Sequence, residues 1–216
     1  MRKMILLLAA LCCMALSLNS FAAEAAKNAA AQDQAPILKS YTGNLSDNKT
    51  QISYVTMIGL FGPLAGLAAL DVAEAVKFTV PKAGWTLRGL TILGWDGFNG
   101  TMASIPRGQL FALEVRDKDK KLLYQFADLQ IPYTNYVFNQ TSASPIDIEL
   151  PPIAVTDEFY VCVYERGTFF VGAEITNKTG NSYFYSKASG NMTQAQLPIA
   201  NNMTSPVNWI MEAIGS

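Results

Sequence analysis

The clearest pattern of apolar and polar positions lies between Leu110 and Phe126, LFALEVRDKDKKLLYQF. Phe111, Leu113 and Val115 alternate with Ala112, Glu114 and Arg116, and Leu122, Tyr124 and Phe126 repeat the alternation past a charged turn. A period of two predicts a β-hairpin with one buried face. If Asp117 to Lys120 form a four-residue loop, Val115 pairs with Leu122, Leu113 with Tyr124 and Phe111 with Phe126. All the large apolar side chains then share a face that another sheet must cover.

The same grammar recurs along the chain. QISYV is the first strand expected, and AVKFTV sets Val76, Phe78 and Val80 against Lys77 and Thr79 before Pro81. LRGLTILGW follows, then a loop from Asp96 to Pro106. PIDIEL alternates Ile146, Ile148 and Leu150 against Asp147 and Glu149, and Pro151 and Pro152 are expected to end it. EFYVCVYE and TFFVGAEI read as a second hairpin joined at Arg166 and Gly167, and SYFYS and NWIMEAI complete about ten strands. With no helical pattern after residue 75, the expectation is an all-β fold, an antiparallel β-sandwich or jelly roll.

Two stretches depart from this grammar. Met1 to Ala22 reads as a signal peptide: Arg2 and Lys3 precede the apolar run Met4 to Leu18, and Ser20-Phe21-Ala22 supplies small residues for cleavage. Leu11 before Cys12 argues against lipid attachment, where a small residue is wanted. Residues 23–50 read as a flexible Ala- and Asn-rich lead-in, leaving 51–216 as a single sandwich domain. The second stretch, Gln51 to Leu70, holds twenty consecutive uncharged residues interrupted by Gly59, Gly62, Pro63 and Gly66. Its apolar part, 55–70, has three readings: a strand with a covered apolar loop, a membrane-touching loop, or an anchor.

Composition narrows the function. Loss of Arg2 and Lys3 with the leader would take the net charge from -1 to about -3, and the remaining lysines are scattered through turns, so no nucleic-acid partner is expected. Of three cysteines only Cys162 lies beyond the leader, which precludes an internal disulfide; within FYVCVYE it reads as a small buried hydrophobe. The expected location is extracytoplasmic, in the periplasm, at the cell surface or secreted.

The succession AVKFTVP, LEVRDKDKKLLY, DEFYVCVYE, NSYFYS and NWIMEAIG resembles a family of uncharacterised secreted β-sandwich domains of archaea and bacteria, whose last strand runs Asn-Trp-hydrophobic-hydrophobic-Arg-Ala. The resemblance spans roughly Gln51 to Gly215 and implies a jelly-roll-like fold and export, with no established activity. Glu212 stands where that family has Arg, reversing a charge, and 51–70 is more apolar than the family's opening.

The chain has no histidine, which removes Ser-His-Asp and Cys-His catalysis and imidazole metal sites together. Asp117 and Asp119 read as turn residues rather than calcium ligands. Glu114 with Asp147 or Glu149 is the remaining glycosidase pair, an unfavoured alternative because these positions alternate outward. No cofactor is expected.

Among the aromatics, Trp95 and Trp209 are assigned to the core, while Trp85, Tyr133 and Tyr136, near turns, are candidate ligand contacts for a glycan. Seven sequons, at Asn44, Asn48, Asn99, Asn139, Asn177, Asn191 and Asn202, mark loops that an exporting cell could glycosylate. The expectation is a non-catalytic exported module with a binding or structural role, the carbohydrate-binding version being the alternative.

The partner is expected to be a glycan, another protein, or a membrane surface met through 55–70. Since 51–70 exceeds one strand of about six residues, the excess is predicted to form an association surface carrying Leu60, Phe61, Leu64 and Leu67. Leu60→Asp with Leu67→Asp should then abolish self-association or liposome binding without lowering the melting temperature. A protein that is monomeric and lipid-indifferent before mutation, and that only melts lower afterwards, would place the segment in internal packing.

Overall fold

The computed structural model describes residues 36–45, 50–55, 71–104, 110–128, 135, 139–166, 169–175, 177–198 and 203–216. The expected signal peptide and the apolar segment beyond Val55, with Leu60, Phe61, Leu64 and Leu67, lie outside these residues.

Pro36–Ser216 forms one compact unit. Its strands are β1 (Ile37–Lys39), β2 (Ile52–Val55), β3 (Val72–Thr79), β4 (Thr86–Trp95), β5 (Leu110–Asp117), β6 (Leu122–Asp128), β7 (Ser144–Ala154), β8 (Glu158–Arg166), β9 (Phe170–Glu174), β10 (Ser182–Ser186), β11 (Asn191–Gln194), β12 (Gln196–Pro198), β13 (Thr204–Pro206), β14 (Asn208–Trp209) and β15 (Met211–Gly215). One sheet runs β1-β15-β4-β9-β14, with β7 also paired to β4 and β2 to β9. The second runs β11-β10-β3-β8-β5-β6, and β12 pairs with β13 alone. The pairings are antiparallel, and the only helical turn among the described residues is the 3-10 turn Met102–Ser104.

The fold is thus the expected all-β sandwich. Leu90 and Ile92 of β4, Ile146 and Ile148 of β7, Trp209 and Met211 pack on one side of the core; Val76 and Phe78 of β3, Phe111, Leu113 and Val115 of β5, and Phe159, Val161 and Val163 of β8 pack on the other. Burial of each such large side chain contributes about 1.5–3 kcal/mol.

Four local expectations are corrected. In the β5–β6 hairpin, Val115 pairs with Tyr124, Leu113 with Phe126 and Phe111 with Asp128, with a bulge between Val115 and Arg116. The turn is closed by the Lys120 amide donating to Asp117 at 2.9 Å, with Lys120 at φ 66°, and the bulge that follows leaves Leu122 41% exposed. Pro151 and Pro152 do not end β7. The register slips between Leu87 and Gly89, so the prolines sit in a bulge opposite Arg88 on an edge strand, where no ladder donor is lost.

Nor do the strands EFYVCVYE and TFFVGAEI form a hairpin: both edges of β8 are taken, by β3 and β5, and β9 joins the other sheet. Finally, of the lead-in expected to run to residue 50, residues 36–45 belong to the domain, because β1 adds to β15 and Ser40 clamps the chain beyond it.

One core position breaks the apolar rule. Glu74 shares its inward face of β3 with Val76 and Phe78, is fully buried, and among the described residues neither carboxylate oxygen has a hydrogen-bond partner. Burial pushes its pKa up to about 8. The folded protein then holds a proton that the unfolded chain releases near pH 4.5, so stability falls as pH rises from that value to about 8, by at most about 1.4 kcal/mol per unit. Glu74→Leu should raise the denaturation midpoint, more at pH 8 than at pH 5, by on the order of 4 kcal/mol at the higher pH. Equal effects at the two pH values would show that Glu74 is ionised in the native state.

Candidate functional site

With the odd positions of β14 and β15 facing the core, Asn208, Ile210 and Glu212 face outward from the seven-stranded sheet, as do Thr91, Leu93 and Trp95 of β4 and Pro145 and Asp147 of β7. Three successive rows on this face differ in chemistry. In the first, Trp95 pairs with Phe170 and their rings stack at 5.1 Å, both half-buried. In the second, Tyr54 pairs with Gly172 and is 42% exposed. Leu93 lies across Gly172, where a Cβ would meet its Cδ2 at 2.8 Å, so glycine is what lets the leucine form a floor beside Ile210.

The third row is polar. Lys39, Glu212, Thr91 and Asp147 follow one another across β1, β15, β4 and β7. Glu212 and Asp147 are therefore two strand spacings apart, about 10 Å at their Cα atoms.

These rows border a half-open pocket of about 260 Å³ lined by Tyr41, Leu45, Thr91, Leu93, Pro145, Asp147, Ile210 and Glu212. The segment after β1 carries Tyr41 over it and is pinned twice. Ser40 Oγ accepts from the Met211 amide at 3.0 Å and donates to the Met211 carbonyl at 2.8 Å; Glu174 accepts from the Thr42 amide at 3.1 Å and from Asn208 Nδ2 at 2.7 Å.

The Tyr41 hydroxyl donates to Glu212 Oε1, which also receives Lys39 Nζ at 3.0 Å. Burial first, then the bond to Glu212, pushes the Tyr41 pKa up to about 12, while the bonds to Glu212 and Tyr41 raise that of Lys39. Tyr41 therefore stays a donor and Lys39 a cation. Asp147 Oδ1 accepts from Thr91 Oγ1 at 2.7 Å and has no cation beside it among the described residues. Among the described residues, Glu212 Oε2 and Asp147 Oδ2 have no partner.

Of the ligand contacts expected from sequence, Trp85 is fully buried in the core and stacks on Phe159 at 5.8 Å, so it is no surface contact. Tyr133 and Tyr136 lie outside the described residues. Trp95, assigned to the core, is instead half-buried on the outer face, its Nε1 donating to Phe98 at 3.1 Å. The sequon residues Asn44, Asn99, Asn139, Asn177 and Asn191 are exposed, while Asn48 and Asn202 are not described. Asp117 Oδ1 caps its turn by accepting from the Asp119 and Lys121 amides, each at 2.9 Å. Tyr41, Tyr54 and Glu212 were missed as site residues because sequence does not show which strands adjoin.

Neither a protein-family model nor a curated protein matches the chain. Among solved structures, FlgD from P. aeruginosa is 10% identical over 56% of this chain and 88% of its own, with a TM-score of 0.21. FlgD from Xanthomonas campestris is 12% identical over 66% of this chain and 97% of its own, at 0.20. Dimeric latent PorU from Porphyromonas gingivalis is 8% identical over 69% of this chain but only 18% of its own, at 0.24. Likeness this slight assigns neither topology nor activity.

On the outer face of the six-stranded sheet, Glu114 is almost fully buried and accepts four hydrogen bonds from three residues. Arg116 Nε and Nη2 reach Oε2 at 2.8 and 2.6 Å, Tyr164 Oη reaches it at 2.8 Å, and Lys187 Nζ reaches Oε1 at 2.8 Å. Arg116 and Lys187 cover the Tyr185 and Tyr164 rings at 4.9 and 5.5 Å. This face is turned away from Asp147 and Glu149, so Glu114 cannot share a glycosidic bond with either.

Burial would raise the Glu114 pKa, but the bonds from Lys187, Tyr164 and Arg116 outweigh it and hold the pKa below the usual value. A depressed folded pKa stabilises above the unfolded value of 4.5, and that contribution is lost as pH falls through the folded one. Glu114→Gln should therefore cost roughly 2–3 kcal/mol at pH 7, since Lys187 can turn to solvent while Arg116 is held, and should flatten the acid limb of the stability profile. Parallel acid limbs in urea titrations of the two proteins would show that the network carries no proton linkage.

Proposed function

We propose that the chain is an exported, non-catalytic β-sandwich module that binds carbohydrate on the outer face of its seven-stranded sheet, at the cell surface or outside the cell. The observation that carries the reading is the grading of that face, from the Trp95–Phe170 stack and exposed Tyr54, across Leu93 and Ile210, to the open oxygens of Glu212 and Asp147. Sugar rings present apolar CH faces edged by hydroxyls, and such a surface offers aromatic and aliphatic contact beside hydrogen-bond acceptors. The signal-peptide pattern at 1–22 and the exposed sequon asparagines support export.

The purified chain on a glycan array should give saccharide hits. Thr91→Arg, which fills the pocket from an outward position, should weaken them at least tenfold with the melting temperature unchanged. Absence of any hit, or release of new reducing ends from the bound saccharides, would overturn the reading.

A further inference from the structure

Resting on the carbohydrate reading, we propose that this pocket is selective for an amino sugar, whose ammonium sits between Asp147 and Glu212. Among the described residues the pocket lining includes two carboxylates and no cation, and Lys39, beside it, is already engaged with Glu212 Oε1. The open acceptors are Asp147 Oδ2 and Glu212 Oε2, with Thr91 Oγ1 between them keeping its lone pairs after donating to Asp147.

A primary ammonium brings three donors and no acceptor, so it matches three acceptors set in one row by adjacent strands. A hydroxyl would use one carboxylate only, and an anionic sugar would be repelled by Asp147 and would meet a Glu212 whose cation, Lys39, is already engaged. The floor of Leu93 and Ile210 and the Tyr41 ring supply the apolar contact that a pyranose CH face requires. A volume of about 260 Å³ is below the range of drug-sized sites and suits one ring rather than a longer segment buried along its length.

Three oligosaccharides of equal length separate the alternatives by calorimetric titration of the purified chain: a glucosamine oligomer, its fully N-acetylated counterpart and a galacturonate oligomer. The glucosamine oligomer should bind at least tenfold more tightly than the N-acetylated one, and galacturonate not at all. Asp147→Asn retains the acceptor for Thr91 but removes the charge; it should reduce the preference for the glucosamine oligomer over its N-acetylated counterpart to threefold or less.

Equal affinity for the two oligomers, both lost in Thr91→Arg, would overturn amino-sugar selectivity and leave the carbohydrate reading intact. Tighter binding of galacturonate, or a preference for amine that survives Asp147→Asn, would overturn the selectivity as well. Failure of all three oligomers, together with an empty glycan array, would remove the carbohydrate reading itself.

Discussion

Two sheets with no covalent link between them are held by what lies between them, and that constraint organises the rest of this molecule. Cys162, the only cysteine among the described residues, is buried on the outer side of β8, where burial pushes its thiol up to about 12. No disulfide therefore ties the layers. Strands that cross the core must present an apolar residue at every second position, and β3, β5, β7 and β8 do so, Glu74 of β3 excepted. The same parity decides what faces outward. Once Ile146 and Ile148 are committed inward, Asp147 has to stand on the outer face, and once Leu90 and Ile92 are inward, so does Thr91.

The pocket's geometry depends on a second device, the switch of the C-terminal strand at Ile210. Asn208 and Trp209 pair with β9, whereas Met211 onward pairs with β4. Ile210 spans the change, donating to Gly172 at 2.8 Å and accepting from Leu93 at 3.1 Å. The polar groups that the break would orphan are taken by two serines: Ser182 Oγ accepts from the Trp209 amide at 2.9 Å, and Ser40 serves Met211 on both its amide and its carbonyl. Because Ser40 directly precedes Tyr41, the repair of a strand break is also what fixes the aromatic ring over the pocket and Lys39 beside Glu212.

The fold was legible where side chains alternate and illegible where the backbone departs from a regular ladder. The apolar faces of β3, β5, β7 and β8 follow from period two alone. The hairpin register, the passage of β7 through Pro151 and Pro152, and the transfer of β9 to the opposite sheet each depend on a bulge or an occupied strand edge, which one strand's sequence does not display. The two misplaced tryptophans have the same origin. Proximity to a turn suggested exposure for Trp85, and position within a strand suggested burial for Trp95. Yet Trp85 precedes β4 on its inward side beneath Gly215, whereas Trp95 ends β4 on its outward side. The site was less legible still, since Tyr41, Thr91, Asp147 and Glu212 meet only through the strand order β1-β15-β4 with β7 on the far edge.

The carboxylates show why ligand chemistry belongs on that face. Glu114, buried, stays ionised only because Arg116, Tyr164 and Lys187 together replace its water, and those bonds leave it little to offer a ligand. Glu74, buried without partners, takes the other course and retains its proton, so that it carries no charge for a ligand to meet. Asp147 is exposed and Glu212 has one oxygen open, so water rather than protein completes their solvation. A group entering the pocket displaces that water and is favoured only if it returns equivalent hydrogen bonds. The half-open pocket supplies a setting of lower dielectric in which a donor bearing positive charge gains more than a neutral one, and this is the physical basis for discrimination at the row formed by Glu212, Thr91 and Asp147.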